Sequence, residues 1–220
     1  MHKKELTQEL ICREKVLPLY YHDSSEVSVN VLKALYASGI KAVEYTNRGE
    51  NALGNFIAMR EIVNAEMPGM QLGAGTIKTA VDAELFIAAG ADFIICPVLN
   101  IEVAKIVHKA GLLWIPGCMT TTEIFNAETN GATIVKIFPG NILGPSYISA
   151  IKELFPWLLF MPTGGVEVSE ENLQAWFIAG VSAVGLGSKL ISKPDLENKN
   201  YERIGSLAKE ALKIVETIHQ

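Results

Sequence analysis

Short runs of apolar, β-favouring residues alternate with longer stretches of helical periodicity from one end of the chain to the other. The apolar runs predict strands over Val16–Tyr21, Lys41–Thr46, Gln71–Ile77, Phe93–Val98, Leu112–Cys118, Ile134–Pro139, Leu158–Thr163 and Ala183–Gly187. Their starts lie roughly 19 to 30 residues apart, room for one strand, one helix and two loops. Between them the period changes. Val27, Val31, Leu32 and Leu35 fall on one face of a helix at Glu26–Ser38. Thr120 and Glu123 fit a capping box, Ser169 precedes Glu170 and Glu171, and Pro145 sits where a first helical turn accepts it. Gly39, Gly90, Gly111 and Gly180 each close a helical stretch before a strand. Two further helices, Lys3–Arg13 and roughly Glu197–His219, bracket the array.

Eight apolar strands alternating with helices imply a parallel sheet covered on both faces. No Pro/Gly-rich linker or charge run divides the chain, so the expectation is a single domain over residues 1–220. The expected architecture is α/β: one closed (β/α)8 TIM barrel with an extra N-terminal helix and a C-terminal helix. The rival is an open doubly wound sheet. That fold commonly carries a glycine-rich loop after its first strand, and the YYHDSS run at 20–25 contains no glycine.

Composition narrows the function. With 49% hydrophobic and 20% charged residues, the chain has far too much apolar surface to stay disordered. The formal net charge of -5 comes without a basic block, so no nucleic-acid partner is expected. The apolar runs fall far short of the ~20 residues that span a bilayer, so no membrane partner is expected either. The first residues lead into no apolar signal region, and the location expected is cytoplasmic. Cys12, Cys96 and Cys118 are widely spaced and read as buried thiols. His2, His22, His108 and His219 are scattered, so neither a metal site nor any cofactor is expected. No G-x-S-x-G run supports a serine hydrolase.

Barrel active sites lie at the C-terminal ends of the strands, which directs attention to polar residues late in strands. By alternation, Lys136 shares a face with Ile134 and Phe138. A buried ammonium is costly, which favours the neutral amine, a nucleophile toward carbonyls. Such a lysine forms a Schiff base, pairs with a buried carboxylate, or extends its head to solvent at the strand end. Glu44 shares a face with Ala42 and Thr46 and is either a proton-transfer group or the partner of that lysine. Arg48, just past the same strand, offers a planar fork for a carboxylate or is a plain loop arginine. Thr76 follows Gly73 and Gly75, where backbone and ligand can approach closely. The last two strands end in glycine-rich loops, with Thr163 before Gly164 and Gly165, and Gly187 before Ser188. Such loops bind phosphate in many barrels, and glycines also simply terminate strands.

Taken in order, VEYTNR at 43–48, GAGTI at 73–77, FIICP at 93–97, IPG at 115–117, TTTEI at 120–124, VKIFP at 135–139, PTGG at 162–165 and GS at 187–188 resemble the KDPG/KHG aldolase family (2-keto-3-deoxy-6-phosphogluconate and 4-hydroxy-2-oxoglutarate aldolases). The resemblance runs over about residues 15 to 190. It implies a metal-free class I aldolase on a (β/α)8 barrel, assembled as a homotrimer and acting on a small 2-keto acid. It implies Lys136 as the Schiff-base lysine and Glu44 as the general acid/base. Arg48 and Thr76 would contact the substrate carboxylate, and Pro97, Phe138 and Thr163 would line the pocket. Gly164, Gly165, Gly187 and Ser188 would hold a distal phosphate. Tyr20, Tyr21, His22, Cys96 and Lys189 depart from the residues usual in the family, and several of them bear on the distal end of the substrate. The related galactonate epimer is an alternative substrate. A phosphosugar isomerase or epimerase on the same barrel, using Glu44 as base, is an alternative activity, and a catalytically silent binding barrel is another.

Overall fold

The computed structural model describes residues 3–218. Helix α1 (Lys3–Glu14) leads into β1 (Val16–Tyr20), α2 (Ser25–Ala37), β2 (Ala42–Thr46), α3 (Ala52–Glu66), β3 (Gln71–Gly75), α4 (Ala80–Ala88), β4 (Phe93–Ile95) and α5 (Ile101–Lys109). Then come β5 (Leu113–Ile115), β6 (Gly117–Cys118), α6 (Thr121–Thr129), β7 (Ile134–Ile137), α7 (Gly140–Ile151), β8 (Leu159–Pro162), α8 (Glu170–Ile178), β9 (Val184–Leu186), α9 (Lys193–Glu197) and α10 (Tyr201–Thr217). All the strand pairings described are parallel, in a six-stranded sheet ordered β5-β4-β3-β2-β1-β9 and a three-stranded sheet ordered β6-β7-β8.

The run expected as one strand at Leu112–Cys118 is therefore two, and Pro116 is the reason. Proline has no N–H to give a ladder. Before it, Ile115 O accepts from Cys96 N at 2.9 Å; at the proline itself, the carbonyl turns to accept from Lys136 N at 2.8 Å. The chain thus hands over from β4 to β7 in passing. On the other side, β8 and β9 meet through a parallel bridge between Thr163 and Gly185, with Ser182 N donating to Phe160 O at 2.9 Å. The result is a curled parallel sheet surrounded by helices.

Strand alternation divides the buried side chains into two clusters. Val43, Tyr45, Leu72, Ala74, Ile94, Trp114, Val135, Ile137, Phe160 and Val184 pack outward against the helices. Leu17, Ala42, Phe93, Ile95, Leu113, Ile115, Ile134, Met161 and Ala183 face the concave side of the sheet, where Leu10 and Ile11 of α1 join them. The N-terminal helix thus plugs one end of the interior, each of its two core side chains contributing about 1.5–3 kcal/mol of burial.

Helix ends follow the sequence closely. Gly39, Gly90, Gly111 and Gly180 all adopt positive φ at the ends of helices. Thr120 and Glu123 form the capping box. Gly144 leaves helical geometry inside α7, and Pro145 opens the segment after that kink. The C-terminal helix expected at roughly Glu197–His219 is shorter: α9 ends at Glu197, Lys199 takes φ 53°, and α10 begins only at Tyr201. Expectations that touch His2 and His219 lie outside the described residues.

Candidate active site

Glu44 on β2 and Lys136 on β7 point to the concave side from strands that are not neighbours. Their side chains meet, Lys136 Nζ lying 3.4 Å from Glu44 Oε1. Lys136 is 4% exposed and Glu44 0% exposed. Glu44 Oε2 and Thr163 Oγ1 are buried without a hydrogen-bond partner among the described residues. Buried polar atoms are rarely left so, because each forfeits its hydration. A buried amine, a carboxylate oxygen and a hydroxyl with unused capacity are suited to a polar ligand and to moving protons on it.

Glycines make this constellation fit. Gly73 and Gly117 are the register partners of Glu44 and Lys136 on the neighbouring strands. A Cβ on Gly75 would lie 1.9 Å from Glu44 Oε1, and one on Gly185 would lie 2.3 Å from Thr163 Oγ1. The expectation that Gly73 and Gly75 leave space for a ligand is corrected here. The Phe93 ring fills the space over Gly73, where a Cβ would come within 2.1 Å of it, and the Glu44 carboxyl fills the space over Gly75.

The remaining sequence candidates surround this pair at the strand ends. The Phe138 ring centroid is 5.5 Å from Lys136 Nζ, and Phe138 and Pro97 are half-buried. Thr76 follows Gly75 directly, is half-buried, and takes the left-handed φ of 59°, uncommon for a β-branched residue. Arg48 is exposed, and its guanidinium has no partner among the described residues. Burial pushes the Cys96 thiol, on the outer side of the sheet, up to about 12.

The two glycine loops have different surroundings. Gly187 and Ser188 join Arg48 around a cavity of about 460 Å³. Gly164 and Gly165 instead pack on Asn141 at the start of α7, with positive φ of 91° and 73°. Gly140 N donates to Thr163 O at 2.8 Å and ties that helix end to the same loop. Lys189 turns to Glu167 at 2.6 Å, so an ion pair straps the β8–α8 loop to the β9–α9 loop. Among the described residues no group of three or more His, Cys, Asp or Glu side chains is arranged to hold a metal ion. Among the described residues no helix is long and apolar enough to cross a membrane.

The sequence reading missed the rest of that cavity: Leu19, Asp23, Ile191, Lys193, Leu196 and Glu197 also line it. Period-two alternation places Leu19 on the inward face, but nothing local marks the α9 residues.

Comparison with known proteins gives the arrangement its context. The family model described as KDPG and KHG aldolase matches residues 7–207. The chain is 31% identical over 210 residues to the 2-dehydro-3-deoxy-phosphogluconate aldolase of Treponema pallidum, covering 94% of this chain and 96% of that one. It is 37% identical over 130 residues to the 2-dehydro-3-deoxy-6-phosphogalactonate aldolase of Escherichia coli, covering 59% of this chain and 62% of that one. The crystal structure of KDPG aldolase from Legionella pneumophila, with pyruvate captured as a covalent carbinolamine, superposes with a TM-score of 0.83 at 27% identity, over 92% of this chain and 96% of that one. These relatives are aldolases, enzymes of the lyase class, and the chain belongs to the KDPG and KHG aldolase family.

Proposed function

We propose that the two sheets form one closed (β/α)8 barrel, a single domain, and that it is a class I aldolase cleaving a 2-keto-4-hydroxy acid. The observation that carries this reading is the buried pair of Lys136 and Glu44, 3.4 Å apart, beside the unpartnered Thr163 hydroxyl. Lys136, as the free amine, attacks the C2 ketone, and Glu44 hands protons to and from the carbinolamine until water leaves. The resulting iminium withdraws electrons. Glu44, directly or through a water, takes the proton of the C4 hydroxyl, the C3–C4 bond breaks, and the aldehyde leaves. The enamine is then protonated at C3, and hydrolysis returns pyruvate and the free amine. Arg48 and Thr76 hold the carboxylate so that C2 is oriented before attack. Pro97, Phe138 and Thr163 wall the reacting carbons.

The substrates proposed are 2-keto-3-deoxy-6-phosphogluconate, giving glyceraldehyde 3-phosphate, and 4-hydroxy-2-oxoglutarate, giving glyoxylate. Gly164, Gly165, Gly187 and Ser188 supply backbone amides for the phosphate of the first. The similarity to a phosphogalactonate aldolase supports a second reading in which the C4 epimer is cleaved. The assembly proposed is a homotrimer in the cytoplasm. Large apolar side chains exposed on successive helices, Val81 and Leu85 on α4, Ile101 on α5 and Phe125 on α6, support association.

Borohydride added in the presence of pyruvate should reduce the Schiff base and add the pyruvate-derived mass to the peptide bearing Lys136. Lys136→Ala should show neither adduct nor turnover. Turnover that persists in Lys136→Ala, or reduction that traps no adduct in the wild type, refutes the covalent mechanism and favours an isomerase.

A further inference from the structure

We infer that His22 is a specificity-determining residue of this enzyme, a fixed hydrogen-bond donor to the hydroxylated chain of the substrate beyond the bond that breaks. The inference rests on the aldolase reading and deepens it. The cavity of about 460 Å³ begins at Leu19, whose register partner across the sheet is Glu44, so it opens one strand away from the reacting pair. Arg48, Gly187 and Ser188 all line it, and His22 of the β1–α2 loop lines it with them.

A loop residue makes a poor specificity element unless it is held. This one is held from below. The His22 carbonyl accepts from the Tyr45 hydroxyl at 2.9 Å and the Asn55 amide at 2.9 Å, and the Ser28 hydroxyl lies 3.2 Å away, its one proton shared with the Ser24 carbonyl at 2.9 Å. Tyr45 and Asn55 are themselves hydrogen-bonded at 3.2 Å, and Ser28 touches Tyr45 at 2.9 Å. Tyr45, Ser28 and Asn55 are all buried. Three buried side chains converging on one carbonyl far exceed what a surface turn needs, and they fix the position of the residue.

The ring is fixed as well. His22 Nδ1 accepts from Ser24 N–H at 3.0 Å. A ring nitrogen that accepts carries no proton, so the neutral ring carries its proton on Nε2. That atom has no partner among the described residues. The other charges on the wall are already engaged. The Asp23 carboxylate is bonded by the Tyr21 hydroxyl, and Lys193 faces Glu197 at 3.7 Å. Arg48 and the His22 N–H are left, both donors. This pairing suits a ligand that presents a carboxylate at one end and hydroxyl oxygens along its chain. Glyoxylate, the two-carbon product of the short substrate, has no such chain to offer.

The experiment uses His22→Asn and His22→Gln. Asparagine can place its Oδ1 where Nδ1 was and keep the Ser24 bond, while removing the donor at Nε2; glutamine carries a donor out to about the Nε2 position. Three quantities are measured on each: solvent deuterium exchange into the methyl group of pyruvate, and kcat/KM for 2-keto-3-deoxy-6-phosphogluconate and for 4-hydroxy-2-oxoglutarate. His22→Asn should exchange pyruvate at the wild-type rate and keep its kcat/KM for the short substrate, while losing about tenfold on the long one, the worth of one hydrogen bond. His22→Gln should recover part of that loss. An equal fall on both substrates, or no fall on either, overturns the assignment of His22. Absence of exchange in the wild type overturns the aldolase reading itself, and the inference with it.

Discussion

Gly75→Ala tests whether the proposed catalytic pair, Glu44 and Lys136, is positioned by the missing side chain of a neighbouring strand. The substitution is mild in itself: Gly75 has no positive φ, and alanine is compatible with a strand. Yet its Cβ would lie 1.9 Å from Glu44 Oε1 and 2.5 Å from both Cδ and Cγ. All three distances are below van der Waals contact, so the whole carboxyl, not only its tip, must swing away. It has nowhere free to go, since Glu44 is completely buried and Thr46, the register partner of Gly75, is buried beside it. The 3.4 Å contact with Lys136 is therefore lost.

Overpacking of this kind costs about 1–3 kcal/mol of stability. Displacing a group that transfers protons costs about 10² to 10⁴ in rate. The decisive assay is a double-mutant cycle in Gly75→Ala, Glu44→Ala and the double variant, read by urea unfolding and by kcat/KM for pyruvate release. If the alanine acts only by expelling the carboxyl, the double variant should match Glu44→Ala in rate and recover the overpacking cost in stability. Effects that add, or a Gly75→Ala enzyme with wild-type turnover, would refute the idea that this glycine seats the catalytic carboxylate.

Two further predictions concern groups outside the reaction. Burial by itself raises Glu123, but the amides of Met119 and Thr120, each at 2.8 Å, and the Thr120 hydroxyl outweigh it and hold the carboxyl below its ordinary value of 4.5. A folded value below the unfolded one stabilises above about 4.5 and ceases to do so as pH falls through the folded value. Glu123→Ala should therefore cost about 1 kcal/mol at neutral pH, and less on acidification; an equal cost at every pH measured by urea unfolding would contradict the sign. Burial pushes the Cys96 and Cys118 thiols up to about 12 and Cys12 to about 11. With about one Cys96 or Cys118 thiol in ten thousand ionised at pH 8, a thiol reagent should label the native chain far more slowly than the urea-unfolded one; equal rates would show that the cysteines are accessible.

What was legible in the sequence follows the range over which each feature is decided. Which face Glu44, Lys136 and Thr163 occupy depends on a period of two within a few residues, and all three point to the concave side as alternation requires. The helix ends at Gly39, Gly90, Gly111 and Gly180 are equally local, set by one residue able to take a positive φ. The split at Pro116 is not local in the same sense. The proline is visible, but the apolar run continues through it, and only the partners on either side, Cys96 and Lys136, make it a handover between sheets. Gly73 and Gly75 mark missing side chains without saying what fills the space, and Phe93 and Glu44 do so from strands on either side. The cavity beside His22 is the extreme case. Part of its lining comes from Lys193 and Glu197 on α9, a short helix lying almost wholly before the C-terminal helix expected from about Glu197. The inward facing of Glu44 and of Lys136 is thus written in strand alternation and can be read from single segments, while their meeting across the sheets cannot. The wall that would discriminate among substrates is assembled from the first loop and the last, and only their meeting in the fold makes His22 more than a polar residue in a turn.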